Sequence, residues 1–194
     1  MADDPATRDD APPTTSNRAD AALEARAALG EAYGDAVVGK SVTINKPATE
    51  LFAFFRDFTN LPQFMENVVS IDVKDDTLSH WVVKAPAGAT VEWDSRVTDE
   101  AAGRYIAWES QPGADVTNAG RIEFKDAGAR GTVVTLNLVY DPPAGTVGKL
   151  IAKLFQREPA IQARRDLRRF KQLMETGEIA TPAKNRKEFE EMGL

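Results

Sequence analysis

The chain has no cysteine and a single histidine, His80, among its 194 residues. Without cysteine it has no disulfide, no thiol nucleophile and no thiolate metal site. With one histidine it cannot build a histidine-rich metal site or a two-histidine acid/base pair, although a Ser-His-Asp arrangement needs only one. Composition therefore removes several enzyme classes, and we predict neither a metal site nor a cofactor.

The chain also lacks a long hydrophobic run and an excess of positive charge. No stretch approaches the roughly 18 uninterrupted apolar residues of a membrane-spanning helix, and Met1 to Pro5 lack the basic-then-apolar order of a signal peptide. We therefore expect a cytoplasmic location. The net charge of −6 disfavours nucleic acid as a partner, because neutralising phosphates requires a concentrated basic surface.

An apolar content of 42% and a charged content of 28% are typical of a soluble globular chain, and the length favours one domain with tails. Residues 1–39 are expected to form an acidic, mostly disordered tail, because 1–20 hold almost no large apolar side chain. Arg18 to Tyr33 have helix-forming composition but only a thin apolar stripe. The domain is expected over 40–178, followed by a polar tail over 179–194.

Alternation of polar and apolar residues predicts strands, and an apolar spacing of three or four predicts helices. Gly, Pro and Asp turns separate short strands, which favours a meandering antiparallel sheet over β-α-β units. Two short helices, Pro47–Phe58 and Pro62–Met65, are predicted after the first strand. The predicted strands are Ser41–Asn45, Val69–Val73, Thr77–Ala85, Thr90–Thr98, Tyr105–Ser110, Asn118–Lys125 and Thr132–Tyr140.

After Asp141-Pro142-Pro143 the chain is predicted to be helical until Gly177, but its apolar residues do not keep one phase. Leu154 and Leu167 would lie roughly 140° apart on a straight helix, and Pro159 lies between them. We therefore predict a bend or short break at Pro159. The side chains predicted to face inward are Val147, Ile151, Leu154 and Phe155 before it, and Ala163, Leu167, Phe170 and Met174 after it.

This order of elements is the helix-grip layout, an α+β fold in which a curved antiparallel sheet of about seven strands wraps around a long C-terminal helix. Several segments resemble the polyketide cyclase/dehydrase-like (SRPBCC) branch of the START/Bet v 1 superfamily over Lys40 to Ile179. The resemblance implies a cavity between sheet and helix for lipids, polyketides or quinone-like molecules, sometimes with catalysis and often without. The segments that carry it are Asn60–Met65, Ala85–Gly88, Val91–Asp94, Ile106–Trp108, Gly113–Val116, Asn118–Gly120, Asp166–Gln172 and Glu175–Glu178.

The concave face of the predicted sheet is rich in large apolar side chains. These either line a ligand cavity of about 300–1,000 Å³ or fill a solid core. Polar residues on the same face, Ser95, Ser110 and Asn118, need hydrogen-bond partners, which a ligand, ordered water or the local backbone would supply. The predicted cavity-lining residues are Trp81, Val83, Trp93, Ser95, Trp108, Asn118, Phe124, Leu136, Leu154 and Phe155.

No residue is assigned a catalytic role. His80 has the parity of Leu78 and Val82, so we expect it on the face opposite Trp81, with no serine or carboxylate placed beside it by sequence. Alternation likewise turns most of the available carboxylates outward. These are Glu92, Asp94, Glu109 and Glu123.

The last helix is basic. Residues 144–177 contain eight Lys or Arg against three Asp or Glu, a charge of +5, so the remainder of the chain carries −11. Arg164, Arg168 and Lys171 are expected beside the inward stripe, with Arg165 and Arg169 further toward solvent. Arg164, Arg165, Arg168 and Arg169 either contact an anionic membrane surface or an acidic partner weakly, or form an ordinary solvated helix face.

Two functions follow from these observations. The first is noncatalytic binding or carriage of an apolar small molecule, since the concave face is aromatic and no catalytic set is recognisable. The second is a polyketide aromatase/cyclase-type reaction in the same cavity, for which a titratable side chain must face inward. An interaction protein that uses the basic helix and the acidic tail is a third possibility.

Overall fold

A computed structural model describes residues 36–85, 88–141 and 159–180. Helix α1 and a 3₁₀ helix follow the first strand, a short 3₁₀ turn precedes the last strand, and helix α2 closes the described chain. The strands are β1 (Ala36–Ile44), β2 (Val68–Val73), β3 (Leu78–Lys84), β4 (Thr90–Ala101), β5 (Tyr105–Ser110), β6 (Thr117–Asp126) and β7 (Thr132–Asp141). The helices are α1 (Ala48–Arg56), the 3₁₀ helices Phe58–Gln63 and Gly128–Arg130, and α2 (Pro159–Thr176).

The seven strands form one antiparallel sheet in the order β1-β7-β6-β5-β4-β3-β2. Strands β2 to β7 are a meander, and β1 pairs with β7 along its whole length, from Ala36 opposite Tyr140 to Ile44 opposite Thr132. The predicted helix-grip fold and strand number are confirmed. β1 begins at Ala36, earlier than the predicted Ser41, because pairing with β7 extends it through Gly39, where the sequence does not alternate.

Two bulges interrupt the alternation of the sheet. One lies between Val68 and Ser70 in β2, and the other between Val97 and Asp99 in β4. Strict alternation from Val69 to Val73 predicts Val69, Ile71 and Val73 on one face. This is wrong for Val69, which is exposed while Val68 and Ile71 are buried, because the bulge inserts one extra residue and reverses the facing of the side chains before it. Val73, at the end of β2, is also exposed.

The helical region after β1 differs in its boundaries from the prediction. Pro47 precedes α1 as its N-cap, and α1 ends at Arg56 rather than Phe58. Phe58 begins the 3₁₀ helix. Pro62, predicted to begin the second helix, lies inside it instead. The side chain of Asp57 accepts a hydrogen bond from the backbone N–H of Thr59, and this cap starts the tighter helix. Two short helices therefore follow the first strand as predicted, but the second spans Phe58–Gln63 rather than Pro62–Met65.

Helix α2 has the predicted inward stripe. Ala163, Leu167 and Phe170 are buried, and Met174 is partly buried against the same core. The helix ends as predicted before Gly177, whose φ of +76° suits glycine and whose N–H donates to Leu173 O at 2.8 Å. The described helix begins at Pro159, so the bend predicted there stays a prediction. The four residues predicted to face inward before it lie outside the described residues.

Candidate functional site

One part of the concave face is filled by phenylalanine rings around Phe170 of α2. The Phe170 ring stacks on Phe64 with centroids 4.8 Å apart and lies 6.0 Å from Phe55. Phe55 also meets Phe124 of the sheet edge-on at 6.3 Å. Centroid separations of 4.5–7 Å are those of favourable aromatic pairs, so α1, α2 and the sheet are joined here by protein side chains.

A second part of the concave face is built from tryptophan. All three tryptophans of the chain lie on neighbouring strands: Trp81 on β3, Trp93 on β4 and Trp108 on β5. Trp81 and Trp93 are directly paired across the strands, and their rings are nearly parallel at 9°, with centroids 6.3 Å apart. The ring centroids of Phe58 and Trp81 are 6.0 Å apart, so the first residue of the 3₁₀ helix after α1 packs against this tryptophan pair.

Trp108 lies flat over the backbone of β6 at Gly120, its cross-strand partner. A Cβ built on Gly120 would overlap the indole ring and would lie 2.9 Å from Cδ2 of Leu138. Only glycine leaves room for this approach. Phe55 borders the indole at 6.4 Å. Gly120 is part of the Asn118-Ala119-Gly120 segment, but the sequence carries no signal that this glycine seats a tryptophan.

The structure describes eight of the ten predicted lining residues, all on the concave side of the sheet. Trp93, Trp108 and Asn118 keep partial exposure, as does their neighbour Leu138. Leu154 and Phe155 lie outside the described residues. The residues that are buried are Trp81, Val83, Ser95, Phe124 and Leu136.

The concave polar side chains have partners within the described chain. Ser95 Oγ donates to Glu109 O at 3.3 Å, and Ser110 Oγ accepts from the Asn118 backbone N–H at 3.0 Å. Asn118 Nδ2 in turn donates to Val116 O at 3.0 Å. Trp81 Nε1 donates to Ser79 Oγ at 2.9 Å. Local bonds of this kind satisfy these groups without requiring a ligand.

His80 lies on the convex face, as its parity predicts, but it has carboxylate neighbours that the sequence did not reveal. Nδ1 lies 2.8 Å from Asp94 Oδ1, and Nε2 lies 3.5 Å from Glu92 Oε2. Both neighbours are on β4, which pairs with β3 so that Asp94 stands directly opposite His80. Sequence alone placed no carboxylate beside His80, and the structure supplies two because cross-strand register brings together residues that are far apart in the chain.

Strand alternation puts the carboxylates of Glu92, Asp94, Glu109 and Glu123 on the face opposite the tryptophans. Glu92 and Asp94 are exposed, and Glu109 and Glu123 are half-buried. Within residues 36–85, 88–141 and 159–180, no three His, Asp or Glu side chains come together in a way that could hold a metal ion.

Asp166 of α2 was not among the residues predicted from the sequence to have a functional role. It is 6% exposed and accepts a hydrogen bond from Gln162 Nε2 at 2.9 Å. Burial raises the pKa of Asp166 to about 7, although the backbone N–H of Glu66 and the Gln162 amide favour its charged form. Asp166 is three residues after Ala163 and four before Phe170, so helical spacing alone could have assigned it to the edge of the buried stripe.

Arg169 is not on the solvent face where the sequence analysis put it. It is half-buried, its guanidinium lies 3.9 Å from Glu66 Oε2, and its Nε is buried without a hydrogen-bond partner in the structure. Arg165 is exposed as expected, and Arg164 and Arg168, which were expected beside the inward stripe, are exposed as well. Arg169 therefore belongs with Asp166 to the contact between α2 and the turn before β2.

An open groove of about 560 Å³ lies on the surface beyond the end of α1, and none of the tryptophans lines it. It is mostly polar, and the Arg56 guanidinium on its wall bonds to Glu100. Its lining is not that of the predicted apolar cavity. The lining residues are Arg56, Asp57, Phe58, Val73, Lys74, Asp75, Asp76 and Glu100.

Comparison with known families and structures gives consistent results. A family model described as polyketide cyclase/dehydrase and lipid transport matches residues 35–175. A Deinococcus radiodurans protein of known crystal structure is 41% identical, with a TM-score of 0.61 over 74% of this chain and 100% of that one. An uncharacterized 17.2 kDa Streptomyces lincolnensis protein is 29% identical over 140 residues, which cover 71% of this chain and 89% of that protein.

A more distant structure shares the fold. The Zhui aromatase/cyclase of Streptomyces sp. R1128 is 15% identical, with a TM-score of 0.58 over 75% of this chain and 99% of that one. No helix in the described ranges is long and apolar enough to cross a membrane.

Proposed function

This chain belongs to the polyketide cyclase/dehydrase and lipid transport family, and from that premise we propose that it binds or carries an apolar small molecule without transforming it. Family membership supports a role in hydrophobic-ligand binding or in cyclase chemistry and does not distinguish the two. The proposed site lies against the concave face of the sheet, where lipids, quinones or polyketide-like molecules would contact the tryptophans.

The observation that carries this proposal is the partly exposed tryptophan surface. The phenylalanine cluster around Phe170 is tightly packed, whereas Trp93, Trp108 and Leu138 on the same concave face stay partly accessible. Flat aromatic surfaces next to aliphatic ones are typical walls of small-molecule sites. Trp81 and Trp108 contact the rings of Phe58, Trp93 and Phe55, and the Trp81 indole bonds to the hydroxyl of Ser79. These contacts are with rings and a hydroxyl, which favours binding over acid/base chemistry.

The three tryptophans make the test direct. Because every tryptophan of the chain lies on the concave face, an apolar molecule bound there must change the intrinsic fluorescence. We would titrate the full chain with the neutral probe N-phenyl-1-naphthylamine and follow tryptophan quenching. Quenching that saturates with a single Kd is expected. The proposal would be wrong if the tryptophan emission did not change when the probe was added. Native mass spectrometry of protein purified from its own cells would then identify the natural ligand.

A matched pair of variants on β7 locates the site. Leu138→Gln brings an amide to the concave face beside Trp108 and is expected to weaken probe binding about tenfold, because burying an unpaired amide is costly. Val133→Gln makes a comparable change at another half-buried position of β7, but on the convex face. It should leave probe affinity within about twofold. Equal losses in both variants would mean that the probe reports stability rather than the concave site.

A second candidate is a cyclase- or dehydrase-type reaction, favoured by the buried carboxyl of Asp166. A carboxyl whose pKa is about 7 can both give and accept a proton near neutral pH. Under this alternative, a poly-β-keto thioester would be converted by the wild type, and Asp166→Asn would lose turnover while retaining probe binding. Equal turnover by the variant would exclude Asp166 as the acid/base group.

A further inference from the structure

The solvent side of α2 carries a compact basic surface, which we call the arginine face: Ile161, Arg164, Arg165 and Arg168. The three arginines follow Ile161 at intervals of three, four and seven residues, so all four side chains project from one side of the helix. All four are exposed, and Ile161 is 42% exposed. The opposite side of the same helix packs on the core.

Among the described residues the arginine face has no charge partner. Within the described ranges, Arg164, Arg165 and Arg168 form no ion pair, in contrast to Arg169 beside Glu66 and Lys171 beside Glu175. The part of the chain that the structure describes thus leaves three guanidinium groups without an ion pair on two turns of helix, in a chain whose net charge is −6. Their local positive potential extends for about one Debye length, roughly 10 Å at 0.1 M salt.

We propose that the arginine face docks α2 onto an anionic lipid bilayer. Charge complementarity alone would suit any acidic partner, but an exposed isoleucine among three arginines fits a bilayer better. The arginines reach lipid phosphates, while the aliphatic side chain enters the boundary between headgroups and acyl chains. The inner side of α2 carries Phe170, so docking would bring the helix that closes the concave face to the membrane. Docking of this kind does not require an apolar molecule on the concave face.

The experiment is co-sedimentation of the full chain with vesicles. Vesicles of phosphatidylcholine with 25% phosphatidylglycerol are compared with pure phosphatidylcholine, at 50 mM and 500 mM NaCl. Binding is expected only to the anionic vesicles and only at low salt. Each arginine near such a surface contributes about fivefold, so the R164Q/R165Q/R168Q variant should lose about a hundredfold in partitioning. Ile161→Gln should lose roughly three- to tenfold.

A charge-matched control separates the arginine face from net charge. Arg104→Gln, Lys125→Gln and Arg130→Gln together make the same charge change at exposed positions of the sheet's turns and strand ends. This control should bind like the wild type, and circular dichroism should give the same fold for every variant. The proposal is overturned if the full chain does not sediment with anionic vesicles or if it binds pure phosphatidylcholine vesicles equally well. It is also overturned if the two triple variants lose the same amount of vesicle binding.

Two further experiments test whether the arginine face binds the acidic N-terminal segment instead of a bilayer, and whether vesicle binding is separate from probe binding. If only a chain lacking residues 1–20 bound the vesicles, the acidic N-terminal segment would be the partner of the arginine face, and the bilayer proposal would be overturned. The N-phenyl-1-naphthylamine titration is repeated on R164Q/R165Q/R168Q. Unchanged probe affinity together with lost vesicle binding would support docking as a separate property of the outer side of α2.

Discussion

At the scale of single residues, Gly120 decides how the concave face is built. Its missing side chain lets the Trp108 indole lie on the β6 backbone, with Phe55 and Leu138 beside it. The position therefore controls both packing and the shape of the proposed site. Glycine in a strand usually weakens the strand, so the close approach of the indole is its compensation.

We predict that Gly120→Ala displaces Trp108. Overpacking of this kind costs about 1–3 kcal/mol of the free energy of unfolding and should shift the tryptophan emission spectrum. The measurement is urea denaturation followed by fluorescence and circular dichroism. In a Trp108→Val background the same alanine should cost much less, because the overlapping ring is gone. An equal cost in both backgrounds would show that the indole is not what excludes the methyl group.

Asp166 is the other residue whose behaviour depends on burial. Its pKa is raised from 3.8 to about 7 by desolvation, so the folded protein holds this proton more tightly than the unfolded chain does. The stabilisation is fully present below the unfolded pKa, and it is lost as the pH rises through the folded pKa. From pH 5 to pH 8, Asp166 therefore lowers the free energy of unfolding by about 2–3 kcal/mol.

We predict that Asp166→Asn removes this pH dependence. The neutral amide cannot ionise, so between pH 5 and pH 8 the variant should lose about 2–3 kcal/mol less stability than the wild type. Urea denaturation at pH 5, 6, 7 and 8 measures the difference. Asp76→Asn, at an exposed position, is the control and should follow the wild-type curve. Parallel curves for the wild type and Asp166→Asn would contradict a raised pKa.

At the scale of elements, α2 is attached to the edge of the sheet by a polar contact at its C-terminal end. Glu175 Oε1 accepts from the Asn45 backbone N–H at 2.7 Å and also pairs with Lys171. Lys171 Nζ donates to Thr43 O at 2.8 Å. These bonds join the last turns of α2 to the end of β1, while the buried stripe of α2 holds the rest of the helix.

We predict that Glu175→Ala loosens this attachment. The substitution leaves the Asn45 N–H without its carboxylate acceptor, and a lost bond to a charged group costs about 1–2 kcal/mol at a partly exposed position. Amide hydrogen exchange at Asn45 should become faster, and the urea midpoint should fall. Glu178→Ala, just beyond the helix, is the matched control and should change neither quantity. Unchanged exchange at Asn45 in the Glu175 variant would contradict the prediction.

At the scale of the whole molecule, the concave face divides into a packed phenylalanine part and a partly open tryptophan part. A ligand that fills the open part binds the folded state and not the unfolded chain, so it must stabilise the fold. We predict a higher Tm with saturating N-phenyl-1-naphthylamine. At a hundred times Kd the gain is about 2.7 kcal/mol, or roughly 5–10 °C for a chain of this size.

Differential scanning calorimetry measures this shift, with Leu138→Gln as the variant that should show a smaller one at equal probe concentration. Protein stripped of bound small molecules should melt below the protein as first purified. Identical Tm values with and without saturating probe would contradict binding to the native state.

The sequence predicted most of the architecture because its signals are local. Alternation assigned the strands, Gly and Pro turns separated them, and helical phase identified Ala163, Leu167 and Phe170 as the inward side of α2. Trp81, Trp93 and Trp108 were assigned to one face by the same parity. Where a bulge broke the period in β2, parity failed and Val69 was assigned to the wrong face.

The sequence by itself thus determined the order of the elements and the facing of most side chains. Apolar residues recur with a period of two in strands and 3.6 in helices, and this recurrence is visible in the sequence. Only the tertiary structure decided which distant residues meet. Register brought Asp94 to His80, Gly120 made room for Trp108, and tertiary packing buried Asp166 within hydrogen-bond reach of the Glu66 backbone. Close approach and desolvation arise between elements, so neither the shape of the tryptophan surface nor the pKa of Asp166 can be deduced from local pattern.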